Sequence, residues 1–136
     1  MTSLGAELPV WELPITPTLV VSTAIATRDY QDVHHDRDLA QSHGSRDIFL
    51  NILSTTGLVQ RYVGEWAREV IGPEFVVRSC ALRLGGPAHP YDTLSFSGKV
   101  TEDTDGVLTI EVVGRAVPDS SSDGVTHVTA TVGVKR

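Results

Sequence analysis

The hydrophobic pattern changes period once, at Gly72-Pro73, and that change restricts the chain to few folds. Before it, Ile52, Val59, Val63, Trp66 and Val70 recur at spacings of three, four and seven. This predicts one long amphipathic helix from about Leu50 to Ile71, with those residues as a single buried stripe. Gln60, Arg61, Glu65 and Arg68 suit a solvated flank, and Gly72-Pro73 ends the helix. Gly57 and Gly64 inside it imply close approach by a neighbouring backbone. After Pro73 the pattern alternates with period two, which predicts strands over 75–84, 93–101, 107–117 and 126–134. Asp105-Gly106 is a strong hairpin signal between the second and third of these.

Upstream of the helix, Pro9, Pro14 and Pro17 confine their segment to extended edge or loop structure. Residues 18–27 read as a short helix, against the resistance of the β-branched Val20, Val21, Thr23, Ile25 and Thr27. A polar turn follows from Arg28 to His35. Asp36 then caps a small helix through Leu39 and Ala40, and Gly44 ends it. Residues 85–92 and 118–124 form loops, the second carrying Ser120, Ser121 and Ser122 in a row. Helices followed by an antiparallel meander place the chain in the α+β class. A sheet wrapped around one long apolar helix buries both elements, which is the outline of a hotdog fold.

The 136 residues, of which 40% are hydrophobic, suffice for one core and not for two, so a single domain over 1–136 is expected. The formal net charge of -6 argues against nucleic acid and anionic membranes as main partners. Cys80 is the only cysteine, so no intrachain disulfide can form. The start Met1-Thr2-Ser3-Leu4-Gly5-Ala6-Glu7 lacks the basic-then-apolar pattern of a signal peptide, and no apolar run is long enough to span a bilayer. A cytoplasmic protein is the expectation.

The chemistry concentrates in Arg28-Asp29-Tyr30-Gln31-Asp32-Val33-His34-His35-Asp36. Asp29 lies five positions before His34, where a helical pattern breaks into a turn, so the two can converge on one water molecule. A carboxylate beside an imidazole does acid–base work near neutral pH. Asp32 and His35 are rivals for the two roles and are read as structural or rim residues. His34, His35, Asp36 and Asp38 also invite a metal reading. Adjacent histidines rarely face one ion, and no HExxH or cysteine pair is present, so no metal is expected. His43 and His89 fall in loops and read as solvated. His127 reads as a cross-strand partner, Cys80 and Trp66 as core, and Arg78 and Arg83 as salt-bridged surface.

These residues resemble a known family, the MaoC-like (R)-specific enoyl-CoA hydratases. Residues 29–36 keep the family's Asp, hydrophobic residue, His and second Asp in register with Asp-x-Asn-Pro-Leu-His-x-Asp. Ile48-Phe49-Leu50-Asn51-Ile52-Leu53 stands where the family has Ile-Ala-His-Gly-Met-Leu. Pro87, Tyr91-Asp92-Thr93-Leu94 and Gly98-Lys99-Val100 resemble its proline, Gly-Asp-Thr-Leu and Gly-x-Val segments. The stretches 26–29, 31–38 and 57–63 resemble more narrowly the small subunit of a heteromeric hydratase of actinobacterial steroid side-chain degradation. Three positions depart from the general pattern: Asn-Pro is Gln31-Asp32, the Gly before the Asp is Arg28, and the Gly opening the central helix is Asn51.

The resemblance implies a hotdog domain that adds water across the α,β double bond of an acyl-CoA thioester. Asp29 and His34 would be the catalytic pair, and a backbone N–H near Asn51 would receive the negative charge on the thioester oxygen. Tyr30 and Phe49 are candidates to line an acyl pocket. The CoA thioester is then the substrate, and no separate cofactor is implied. The expected partner is a second MaoC-like subunit in a dimer-based hetero-oligomer. The alternatives are a hotdog thioesterase, or a non-catalytic chain that completes another subunit's tunnel.

Overall fold

A computed structural model describes residues 4–121 and 123–136; Met1 to Ser3 at the start of the chain, and Ser122 of the serine run, lie outside the described residues. Strand β1 (Glu7–Pro14) leads to α1 (Pro17–Ala26), a 3-10 turn at Asp32–His34, α2 (Arg37–Ser42) and the long α3 (Ile52–Val70). Strands β2 (Val76–Leu84), β3 (Asp92–Thr104), β4 (Val107–Pro118) and β5 (Val125–Lys135) follow. All pairings are antiparallel, in the order β1-β3-β4-β5-β2. The α+β hotdog architecture expected from the period switch is present.

The meander is shorter than the alternation predicts. Only β3, β4 and β5 run as successive hairpins, while β2 crosses to the far edge and pairs with β5. Period-two patterning marks which residues face the core but says nothing about strand order. The proline-rich start forms a true edge strand against β3, with a register shift between Leu8 and Trp11 that accommodates Pro9. The Asp105-Gly106 turn has φ of 55° and 78°, the two left-handed central residues of a type I′ hairpin.

Helix α1 forms despite its β-branched run because both its ends are tied. Thr16 caps it by accepting the Leu19 N–H, and Pro17 starts it with its φ already set. The hydroxyls of Thr23 and Thr27 are absorbed by carbonyls one turn back. Helix α2 is capped by Asp36, as its sequence predicts.

The buried face of α3 is rotated from the expected stripe. Val59 and Val63 are fully buried, but Ile52 and Val70 are 51% and 53% exposed and Trp66 is half-buried. The face that meets the sheet is Ser54, Thr55, Leu58, Val59, Tyr62, Val63 and Ala67. Polar Ser54 and Thr55 are buried because each has a partner: Asn51 for Ser54 and His127 for Thr55. A hydrophobicity count misses such positions. Gly57 has open space where a side chain would be, and Gly64 meets the Phe75 ring, so neither marks a close backbone approach.

Inside the sheet, Leu94, Phe96, Val100, Leu108, Ile110, Val112, Val128, Val132 and Val134 form the wall that α3 packs on. Trp11, Tyr62 and Phe96 stack at the β1 edge, and burial pushes the Tyr62 phenol up to about 12 while its hydroxyl donates to the Pro9 carbonyl. Cys80 packs partly against the core, and burial raises its thiol above the ordinary value.

His127 is buried in the strand layer. Its Nδ1–H donates to the Gly86 carbonyl (2.9 Å), which leaves Nε2 to accept from the Thr55 hydroxyl (2.8 Å). Both bonds suit the neutral ring, and burial lowers the imidazole below its ordinary 6.5. Below pH 6.5 the unfolded chain therefore binds a proton that the folded chain refuses. Stability falls with pH there until the folded-state value is passed. The melting temperature should decline as pH drops below about 6.5, and His127→Gln should flatten that decline. An unchanged slope in the variant would contradict this assignment.

Candidate active site

The site is built where α1 ends and α3 begins. Arg28 N–H bonds the Ile25 carbonyl, and Asp29 N–H reaches back to the Ala24 carbonyl (both 2.9 Å). This pair of bonds is a Schellman ending, which requires a left-handed residue just past the cap. Arg28 supplies it with φ 56°. The ending throws Asp29 off the helix axis and fixes its direction.

Asp29 Oδ1 accepts the Gln31 N–H (3.2 Å), and Oδ2 accepts from the Asn51 amide (3.0 Å). The carboxylate is held below its usual range, chiefly by the Asn51 hydrogen bond, with smaller contributions from the Gln31 amide and the two histidines that outweigh the opposing effect of burial. Asp29 is thus ionised at neutral pH.

Asn51 caps α3 and also joins the two helices. Its Oδ1 accepts the Ser54 N–H (2.8 Å) and the Ser54 hydroxyl (2.5 Å). Its Nδ2 donates to Thr27 Oγ1 and Asp29 Oδ2 (both 3.0 Å). The residue that replaces a glycine of the pattern therefore anchors the Asp29 carboxylate, a role no glycine side chain has. Among the described residues nothing accepts the Asn51 backbone N–H, and it opens the positive end of a 19-residue helix.

His34 is buried at the end of the 3-10 turn. Its Nδ1 lies 2.7 Å from the Phe49 carbonyl, which can only accept, so Nδ1 carries the proton. Nε2 is left facing Asp29 Oδ2 at 3.3 Å. The Phe49 ring meets the His34 ring edge-on, 5.0 Å between centroids. The expected pair therefore converges, with the imidazole tautomer already selected.

The other candidates divide cleanly. His35 Nε2–H donates to the Asp29 carbonyl (2.7 Å), so His35 braces the backbone of the turn. Asp32 is exposed, and its carbonyl accepts from His35 and Asp36 N–H. Tyr30 is 67% exposed and stacks on His35, in a surface hollow shared with Gln31, Val33 and His43. Among the described residues no group of three or more His, Cys, Asp or Glu side chains could hold a metal ion.

No family model matches the chain. A relative from Mycobacterium tuberculosis (strain ATCC 25618 / H37Rv), the 3-oxo-4,17-pregnadiene-20-carboxyl-CoA hydratase beta subunit, is 56% identical over 132 residues, covering 97% of this chain and 95% of its own. The chain belongs to the MaoC-like hydratase family. A chain of the ChsH1-ChsH2 complex from the same organism superposes with a TM-score of 0.88 at 54% identity, over 99% of this chain and 98% of that one. The (R)-hydratase from A. caviae involved in PHA biosynthesis shares the fold, with a TM-score of 0.80 at 16% identity, over 98% and 96% of the two chains.

Two positions where the MaoC-like pattern has glycine carry side chains here in left-handed backbone. Arg28 has φ 56° and Tyr91, at the Gly of Gly-Asp-Thr-Leu, has φ 73°. Left-handed backbone costs an L-residue about 1–2 kcal/mol. Arg28 is exposed, so Arg28→Gly should stabilise the chain by up to about 1 kcal/mol after glycine's own entropy is counted. Urea unfolding measures this; a loss of stability would mean that the Arg28 side chain makes contacts outweighing the strain.

His89 is the residue that sequence reasoning misplaced. It is 4% exposed, not solvated, and its Nδ1–H donates to the Ile48 carbonyl (2.9 Å). Loop position suggested solvent, but loop 85–91 lies against the segment that enters α3, with Leu50 N–H on the Ala88 carbonyl.

Proposed function

We infer that this chain is the MaoC-like subunit of an enoyl-CoA hydratase that acts on a steroid side-chain acyl-CoA, paired with a second MaoC-like subunit and working in the cytoplasm in steroid or cholesterol breakdown. The 56% identity to a steroid-acyl-CoA hydratase subunit supports the substrate class. The likeness to a chain of a two-component complex supports the pairing. Among the described residues no helix is long and apolar enough to cross a membrane.

The observation that carries the reaction is the Asp29–His34 pair with its protonation pattern set. With Nδ1–H committed to Phe49, His34 offers the Nε2 lone pair, and ionised Asp29 offers a second acceptor beside it. A water bound beside the pair, bridging two acceptors 3.3 Å apart, can direct a proton to each. One passes to the pair as the oxygen attacks the β-carbon, and Asp29 then stabilises the imidazolium. The thioester oxygen gains negative charge and is met by the Asn51 N–H at the positive end of α3. The pair returns the proton to the α-carbon, so one water is added overall and no cofactor is consumed.

Ile25, Tyr30, Ile52 and Leu53, the chain neighbours of the site, are each at least half exposed. They supply apolar surface for a bulky acyl group or for the partner subunit that encloses it. The test is loss of conjugated-enoyl absorbance when the chain, alone and with its partner subunit, meets short-chain and steroidal enoyl-CoAs. The reading expects turnover of the steroidal substrate by the pair. Turnover with no dependence on this chain would overturn it.

A further inference from the structure

We propose that His89, backed by Asp92 and Arg46, is a positioning residue that sets the His34 tautomer by locking the strap 48–51. This inference rests on the proposed role of His34 and extends the site by a layer that does not touch substrate.

The strap is gripped by one histidine from each side. His34 Nδ1–H holds the Phe49 carbonyl, and His89 Nδ1–H holds the adjacent Ile48 carbonyl. Backbone bonds repeat the arrangement: Phe49 N–H to the Val33 carbonyl (3.2 Å) and Leu50 N–H to the Ala88 carbonyl (3.1 Å). The Phe49 ring stands edge-on between the two imidazoles, 5.0 Å and 6.1 Å from their centroids. The strap then runs straight into Asn51, which holds Asp29. Both halves of the catalytic pair therefore depend on where residues 48–51 sit.

His89 is itself fixed. Asp92 Oδ2 accepts the His89 N–H (3.0 Å), and Asp92 Oδ1 accepts from Arg46 Nη2 (2.7 Å). Asp92 is buried and Arg46 half exposed, so the charge pair seals the outer side of the turn 89–92. That turn also carries the left-handed Tyr91 (φ 73°), whose N–H bonds the Ile15 carbonyl (2.7 Å). A strained turn held by a buried carboxylate gives His89 one orientation. Without its donor the buried Ile48 carbonyl is orphaned, the strap can shift, and the Phe49 carbonyl no longer selects Nδ1–H on His34.

The experiment compares His89→Leu with His89→Asn in the assembled hydratase. Asparagine places an amide N–H near the Nδ1 position and leucine does not. His89→Leu should lower kcat about tenfold to a hundredfold with little change in KM, and His89→Asn should restore most of it. Nitrogen chemical shifts of the His34 ring should show a single Nδ1–H tautomer in the parent protein and a mixture in His89→Leu. Lowered thermal stability with unchanged kcat and an unchanged tautomer would overturn the proposal, as would equal loss in both variants. If His89→Leu does not fold, Arg46→Met removes the outer link at the surface and should give a smaller fall in kcat with the same tautomer mixing; its absence also overturns the proposal. The tautomer readout needs no turnover, so it separates failure of this relay from failure of the hydratase reading.

Discussion

Asp29→Asn lowers kcat by about 10²–10⁴ in the assembled enzyme, the range ordinarily carried by one proton-transfer group. The substitution keeps shape and removes charge. An asparagine oxygen can satisfy the Gln31 N–H or the Asn51 amide, but not both, since Asp29 uses one carboxylate oxygen for each. A stability loss of about 1–2 kcal/mol is therefore expected alongside the kinetic one. Thermal unfolding separates the two: the protein remains folded at assay temperature, and the rate loss persists there. Unchanged turnover would instead identify this chain as the passive member of the pair.

His34→Asn should cost as much, for a complementary reason. An asparagine amide reaches roughly where Nδ1 does, so the bond to the Phe49 carbonyl survives. What disappears is Nε2, the atom facing Asp29. A fall in kcat of about 10²–10⁴ with near-normal stability assigns the chemistry to Nε2. The double variant should be little slower than the worse single one, because two groups that hold one water act as a unit. Multiplicative losses would mean that the two groups act on different steps.

Much of this site is legible in the residues themselves. The five-residue step from Asp29 to His34 spans a helix ending, and Asp36 starts the next helix, so both side chains are brought near one turn. The carbonyl that sets the His34 tautomer comes from Phe49, fifteen residues on, and no local pattern encodes that pairing. Asn51 was foreseen through its backbone amide, whereas its side chain, the largest influence on the Asp29 carboxylate, became visible only with α1 and α3 in place. The same holds for α3 as a whole. Periodicity locates the helix and its Gly72 stop, but the phase of its buried face depends on Thr55 finding His127, 72 residues away. Strand positions follow from alternation, while the crossing of β2 to the β5 edge depends on how the sheet closes over the helix. Local order is written locally; partners across the fold are not.

The most direct measurement is to incubate the chain and its partner subunit with a steroidal enoyl-CoA in ¹⁸O-labelled water and to analyse both the acyl product and free thiol. The account predicts a hydroxyacyl-CoA carrying one labelled oxygen, no released CoA, and formation of that product about 10²–10⁴-fold slower in Asp29→Asn. Release of free CoA with a labelled carboxylate, or hydroxyacyl product formed by the Asp29→Asn enzyme at the parent rate, would contradict it.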